Sequence, residues 1–412
     1  MAAEANPLDT PEGQLLLSCA RVHPTDEERS RIRSLLVGPL DMSAVLVTAY
    51  QQQVLPLLYR NLSTVCPEAL PAALLVQLRQ RSELQTRKNQ ALAEELVRFR
   101  DLLADHGIEC VPLKGPAVAV GIYGDLSLRS FRDLDFLLLP KDIFRAKSLL
   151  AGLGYRIMPE ISGARERSYL RSECEWSMGN PEDTACIEIH WAVRERCYRF
   201  PLTPEELWER RITVEIAGHP VRTLSREDLL LVLSVHGQKH CWDRLKWICD
   251  ISELLRAPAP LDWDYLLRTA RRLHAVRMLL VAVRLAEQLL QAPVPDEVAL
   301  LLQKDADARQ IAEVLRERLF NPPTDDLDSA RRQRLYLQSR ERVQDRLWYL
   351  FCQLTTPTER DWTEIPLPDW LFPAYHLIRP CRLAAGYAQS ALKLAFQRSR
   401  GPENPTPKSA GT

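Results

Sequence analysis

The stretch that most constrains this chain is Ser130-Phe131-Arg132-Asp133-Leu134-Asp135-Phe136-Leu137-Leu138-Leu139. Two acids sit one residue apart at the head of an apolar run of strand length. Alternate side chains of a strand share a face, so Asp133 and Asp135 project together while Leu134 and Phe136 point the other way. Neighbouring carboxylates repel unless something positive lies between them. A divalent metal meets that need, and Mg²⁺ is typically held by one or two carboxylates together with substrate phosphates. The run therefore predicts a buried strand that opens on a phosphoryl- or nucleotidyl-transfer site.

The flanking pattern places that strand in a small sheet. Residues 108–113 read as a short strand, punctuated by Lys114-Gly115-Pro116, and 117–123 as a short helix with proline near its first turn. After the 124–132 loop and the aspartate strand, 142–153 reads as a helix closed by Gly154, and 155–158 as an edge strand. Strand patterns at 174–178 and 185–191 flank the turn residues Gly179-Asn180-Pro181-Glu182-Asp183, a hairpin signal. Ile212–Ile216 and 221–224 form a further pair. Upstream, Leu92, Leu96, Phe99 and Leu103 recur at helical spacing, and Leu55-Pro56 starts or kinks a helix. Downstream, Ser225-Arg226-Glu227-Asp228 resembles a capping box, and helical pattern interrupted by prolines continues to about 397. The fold class is α+β: a small mixed β-sheet core flanked by helices, with N-terminal helices and a C-terminal helical bundle. The expected divisions are a disordered 1–12, a helical 13–106, the α+β core 107–224, a helical 225–397 and a disordered, proline-rich tail 398–412.

A third carboxylate is available. In Cys186-Ile187-Glu188-Ile189-His190-Trp191, Glu188 and His190 share one face and the apolar residues the other. A carboxylate in the middle of an apolar strand is costly to bury alone. It becomes reasonable beside the Asp133 strand, facing the same ions, because two metals can activate the attacking oxygen and stabilise the leaving one.

These motifs, in order, resemble the uncharacterised nucleotidyltransferase family of the polymerase-β-like superfamily. The resemblance rests on Leu113-Lys114-Gly115-Pro116-Ala117, Ile122-Tyr123-Gly124-Asp125, Leu128-Arg129, Asp133-Leu134-Asp135-Phe136-Leu137-Leu138, Ala151-Gly152-Leu153-Gly154-Tyr155 and Ile187-Glu188-Ile189-His190-Trp191. The helical residues from His236 to Asp250 continue it, and it spans about 45–265. It implies a sheet flanked by helices and a helical domain over the substrate, with Asp133, Asp135 and Glu188 as catalytic metal ligands for Mg²⁺ (or Mn²⁺). Lys114, the Gly115 backbone and Arg129 are expected to bind the nucleotide phosphates, and His190 to make either a nucleotide contact or a structural hydrogen bond. The donor would be an NTP, ATP included, and the acceptor a small molecule, peptide or protein. In the superfamily a Gly-Ser pair at a helix N-terminus holds the nucleotide phosphates. Here Gly115-Pro116 lacks the hydroxyl and one N–H, and Lys114 would supply a point charge instead. Family members are often associated with bacterial peptide natural-product or polysaccharide biosynthesis.

Other signals are bland or narrow the field. His236 and His240 lie i, i+4 on one helix face, but the glutamate of a zinc-protease helix is missing. A packed or substrate-facing helix is the expectation, with Lys239, Trp242, Arg244 and Lys246 nearby. Arg132 could neutralise Asp133 or touch phosphate. The stretch from Tyr375 to Phe396 reads as an amphipathic packing helix. With 54 basic and 54 acidic residues, the chain lacks the charge footprint of a nucleic-acid binder. Ten cysteines without a C-x-x-C pair, no signal-like N-terminus and no membrane-length apolar window point to a cytoplasmic protein with free thiols. The competing readings are a catalytically degraded nucleotide- or peptide-binding module and a toxin-like transferase.

Overall fold

The computed structural model describes residues 7–182, 184–320 and 328–385. The tail 398–412, residues 1–6 and the part of the amphipathic stretch beyond 385 lie outside the described residues. The chain forms two compact units. Of the described residues, the larger holds those within 7–160, 174–195 and 199–345, and the smaller those within 161–173, 196–198 and 346–385.

In the larger unit, α1 (Pro11–Cys19), α2 (Asp26–Val37), α3 (Met42–Gln51) and α4 (Leu55–Val65) precede the 34-residue α5 (Ala72–Asp105). Leu8 is already buried ahead of α1. Thr25 and Glu28 close a reciprocal capping box on α2, and Pro56 sits in the first turn of α4, where its missing N–H costs nothing. The stripe Leu96, Phe99 and Leu103 of α5 is buried; Leu92 is half-buried.

The sheet is assembled from β1 (Cys110–Pro112), β2 (Asp133–Leu138), β3 (Arg156–Met158), β4 (Glu175–Gly179) and β5 (Cys186–His190), with α6 (Pro116–Tyr123) and α7 (Ile143–Gly152) between the first three. Its order is β1-β2-β5-β4-β3. The β2–β5 pair is parallel and its neighbours are antiparallel. The expected hairpin is β4–β5, and β3 is the expected edge strand. Leu134, Phe136, Ile187 and Ile189 form a fully buried face. Phe99 of α5 seals it, its ring centroid 4.8 Å from that of Phe136.

Two helices arise where no strong apolar period marks them: α8 (Gly163–Ser172), a polar helix of the smaller unit, and α9 (Pro204–Glu209). The signal for α9 is local, a Thr203–Glu206 capping box around Pro204. The hairpin of β6 (Ile212–Ile216) and β7 (His219–Thr223) forms a separate two-stranded sheet; the Thr223 hydroxyl ties it to the β1 end by donating to Pro112 O at 2.8 Å.

The helical layer begins with α10 (Arg226–Lys239), where the Ser225 hydroxyl accepts from Asp228 N at 3.2 Å as the N-cap. It continues through α11 (Leu245–Arg256), α12 (Trp263–Arg272), α13 (Val276–Leu290), α14 (Asp296–Lys304), α15 (Ala306–Arg318) and α16 (Asp328–Ser339). Helix α13 is apolar on most sides and packs against α10, α11 and α15, as a central helix must. In the smaller unit Trp362, Phe372 and Tyr375 form a core. There the buried Asp361 accepts from Arg379 at 2.9 Å and Arg382 at 2.7 Å. The stretch from Tyr375 is helical through residue 385. All ten cysteines are free, and no helix among the described residues is long and apolar enough to cross a membrane.

One buried network sets where β2 begins. Asn89 of α5 donates to Leu126 O at 2.6 Å and Arg129 O at 2.9 Å. Arg129 grips Asp250 of α11 bidentately, Nε to Oδ1 and Nη2 to Oδ2, each 2.8 Å. The Tyr123 hydroxyl at the end of α6 donates to the same Asp250 at 2.8 Å. Asp250→Ala would leave the Arg129 charge buried without its partner. We expect a stability loss of about 3–5 kcal/mol, measured as a lower denaturant midpoint at unchanged slope. An unchanged midpoint would show that the loop is held without this pair.

Candidate active site

The register of the parallel pair builds the acidic cluster. Asp133 faces Cys186, Asp135 faces Glu188 and Leu137 faces His190 across β2–β5. On the other side of β5, Glu175 of β4 stands opposite His190. The β1–β2 ladder extends one step further, Leu113 N donating to Asp135 O at 2.9 Å. Lys114 therefore emerges beside Asp135, with Nζ 2.7 Å from Oδ1. Gly115 follows at φ +60° and ψ −126°, a conformation that a side chain makes costly. A Cβ there would also come within 3.3 Å of Asp133 O. That glycine lets the N-terminus of α6 start hard against the aspartate strand.

These groups line one pocket of about 310 Å³. Larger cavities of about 840 Å³ and 610 Å³ lie elsewhere, but the chemistry is concentrated in the small one. Asp135, Glu188 and His190 each offer a ligand atom within 4.8 Å of the others. His190 Nε2 lies 3.2 Å from Asp135 Oδ1 and 3.6 Å from Glu188 Oε2, while Nδ1 lies 3.1 Å from Glu175 Oε2. Asp133 lines the same pocket but falls outside this cluster among the described residues. Two residues along a strand span about 6.6 Å, so Asp133 and Asp135 share a face without touching.

The charges explain how the cluster survives burial. Burial alone would raise the Asp135 carboxyl, but Lys114 and His190 outweigh it and hold it well below the usual carboxylate range. Burial would discharge His190, yet its hydrogen bonds, that to Asp135 first, raise it well above a free imidazole. Lys114 is likewise pushed down by burial and up, on balance, by Asp135. Asp135 is thus neutralised twice over by groups of the chain itself.

The oxygen donors of Asp135 and Glu188, with Asp133 beside them, suit a hard divalent cation. Seating one there requires Lys114 to yield at Asp135 and His190 to lose its proton. A second group, Cys174, Glu175 and His190, shares the imidazole. Burial raises the Cys174 thiol, which keeps it protonated and poorly suited to a metal.

Two of the expected residues have their side chains engaged by carboxylates of the chain itself. Arg129 lines the pocket, but its guanidinium is taken up by Asp250. A buried carboxylate needs a matched cation more than an exposed phosphate does, so Arg129 holds the loop rather than reaching outward. His190 is engaged with carboxylates rather than set towards phosphate.

The opposite wall comes from α10 and α11. His236, His240 and Trp247 stack as a trio, with centroids 4.7 to 5.3 Å apart. Burial, then the nearby Lys114, keeps His236 well below its usual range; burial and Lys239 push His240 down to about 3. They belong to no metal-ligand group among the described residues. Lys239 pairs with Glu195 at 2.9 Å. Lys246 donates to Ser130 O at 3.2 Å, and burial, then Arg129, lowers it to about 7. Its signal was present in the sequence as one cation in the helical motif ending at Asp250, four residues on.

A family model described as "Uncharacterised nucleotidyltransferase" matches residues 38–291. No curated protein matches the chain.

Lys246 yields a test of what the pocket takes. A polyanion bound beside it favours the charged amine, moving it back towards 10.5. At pH 8 a free amine near 7 is mostly neutral, so binding takes up a proton, up to about one. At pH 6 that uptake disappears. Calorimetry with an Mg²⁺–NTP in buffers of differing ionisation enthalpy should show this difference between the chain and Lys246→Met at pH 8. Equal proton counts in the two would place the polyanion away from Lys246.

Proposed function

The chain belongs to the uncharacterised nucleotidyltransferase family, and from that premise we propose that it moves a nucleoside monophosphate from an NTP to an acceptor hydroxyl, amine or phosphate, with Mg²⁺ or Mn²⁺ as cofactor. The observation that carries this reading is the parallel register of Asp135 against Glu188, with Asp133 and Lys114 in the same pocket. Asp133, Asp135 and Glu188 would hold the ions. Ions held by these carboxylates would supply Lewis-acid stabilisation of the negative charge that develops during transfer.

The chain's own residues do the rest. Lys114, released from Asp135, offers its ammonium to phosphate as a point charge. Gly115 brings the N-terminus of α6 close without obstruction, Pro116 having no N–H to give. Glu188 is partly exposed, 23% by side chain, and can accept the acceptor's proton. The acceptor oxygen or nitrogen then bonds to the α-phosphorus, the bridge to the β-phosphate breaks, and pyrophosphate leaves with the electron pair. Arg129 acts indirectly, by fixing the loop ahead of Asp133. His190 orients Asp135 and Glu188. Alignment and charge stabilisation supply most of the acceleration in such transfers.

On the family resemblance we extend the proposal to a tailoring step in peptide or polysaccharide biosynthesis. Ten free cysteines support a reducing compartment such as the cytoplasm. A nucleotide-binding module without turnover is the second reading. It draws on Lys114 seated at Asp135 and on Pro116 in place of a hydroxyl.

The test is the double variant Asp133→Asn/Asp135→Asn. We expect it to remain folded with a lowered thermal midpoint, since Lys114 and His190 lose their charged partner, to lose Mn²⁺ binding, and to lose pyrophosphate release from α-labelled NTP by at least about 10³-fold, as for loss of a principal electrostatic group. Pyrophosphate release equal to that of the unaltered chain would refute the site. Mn²⁺ and NTP binding without release or label transfer under any donor would favour the binding module.

A further inference from the structure

A second, larger cavity adjoins the carboxylate pocket. At about 840 Å³ it shares Gln53, Phe131 and Arg132 with the pocket. Its floor meets the heads of the parallel strands: Arg132 immediately precedes Asp133, and Ala185 immediately precedes Cys186, the register partner of Asp133. Its walls come from the end of α3, the start of α4 and the middle of α5, all within the larger unit.

The lining has two kinds of chemistry. Apolar surface is left uncovered there: Tyr50 is 57% and Leu84 56% exposed, beside Leu55, Pro56 and Leu92. Three cations, Arg81, Lys88 and Arg132, are exposed at the same cavity. The one carboxylate in the lining, Glu95, is already gripped by Arg98 at 2.7 and 2.8 Å. A chain with no net charge thus presents here a local excess of positive charge over an apolar bed, which recruits anions. A cavity of this size suits a sizeable organic molecule rather than an ion.

We propose that this groove binds the acceptor, and that the acceptor is an organic anion with an extended apolar or aromatic body. The assignment rests on the transferase reading of the adjoining pocket. The apolar body lies along Tyr50, Leu84 and Leu92. Its anionic group meets Arg81 and Lys88, and Arg132 receives the end that enters the carboxylate pocket. Like-charge repulsion among acceptor, triphosphate and the three carboxylates is relieved by these cations before the two substrates meet.

The probes are 2-naphthalenesulfonate and its cationic counterpart, trimethyl-2-naphthylammonium, titrated into the full chain by calorimetry. We expect the sulfonate to bind at least about tenfold more tightly than the ammonium. Arg81→Ala/Lys88→Ala should weaken the sulfonate about tenfold or more, the size expected from hydrogen bonds to charged groups. Leu84→Asp, another exposed position, should weaken it as well, with thermal midpoints unchanged. Equal binding of both probes, or an unchanged sulfonate affinity in both variants, overturns the groove. So does loss of sulfonate binding in Asp133→Asn/Asp135→Asn, which would seat the probe on the carboxylate pocket. Mn²⁺ binding and pyrophosphate release, measured on the same proteins, report separately on the transferase reading.

Discussion

The Arg129–Asp250 pair is the interaction on which the placement of the site depends. Both groups are almost wholly excluded from water, so their attraction must offset a large desolvation cost. It does so through bidentate geometry and a third donor, the Tyr123 hydroxyl. The result ties α6, the 124–132 loop and α11 to one point. Asn89 adds α5 by holding two carbonyls of the same loop. The first residue of β2 then has little freedom, and the positions of Asp133 and Asp135 follow.

From that anchor the electrostatics of the pocket unfold as a balance. One face of β2 and β5 is sealed by α5 and is purely apolar. The other carries acids that could not be buried alone. Lys114 arrives at Asp135 because the β1–β2 ladder ends there, and His190 arrives because β5 runs parallel to β2. The facing helices contribute imidazoles held neutral and one amine, Lys246, lowered to about 7. One wall thus carries neutral imidazoles and a single easily protonated amine, and the other carries carboxylates compensated by Lys114 and His190, which is the charge balance on which the proposed transferase reading draws.

Much of this was legible in residue order. The alternation in Asp133–Leu138 and Cys186–His190 marked two strands with an acidic face. Gly154, the Gly179–Glu182 turn signal and Ser225 marked element ends, and each has a local physical cause: a positive-φ glycine, an Asn180 side-chain carbonyl that accepts from Thr184 N and Ala185 N, a hydroxyl acceptor. What could not be read were pairings between distant segments. Arg129 looked available for phosphate because its partner lies 121 positions away. For His190 the residue order left a structural hydrogen bond and a nucleotide contact equally open, because Glu175 and Asp135 meet it only through the sheet. The helix α8 carries no apolar stripe, and the β6–β7 hairpin gives no sign in its own residues that it leaves the main sheet.

By itself the sequence determined which residues carry charge on which face of each strand, where most helices start, and that two aspartates would stand side by side and need a positive charge. Those are short-range consequences of backbone periodicity and of the cost of adjacent carboxylates. Only the tertiary structure decided that the charge at hand comes from Lys114 and His190, that Glu188 stands opposite Asp135 rather than Asp133, and that Arg129 serves the fold. Strand register and buried ion pairs are set by contacts between segments far apart in the chain, where burial strengthens the attraction between charges and leaves room for few partners.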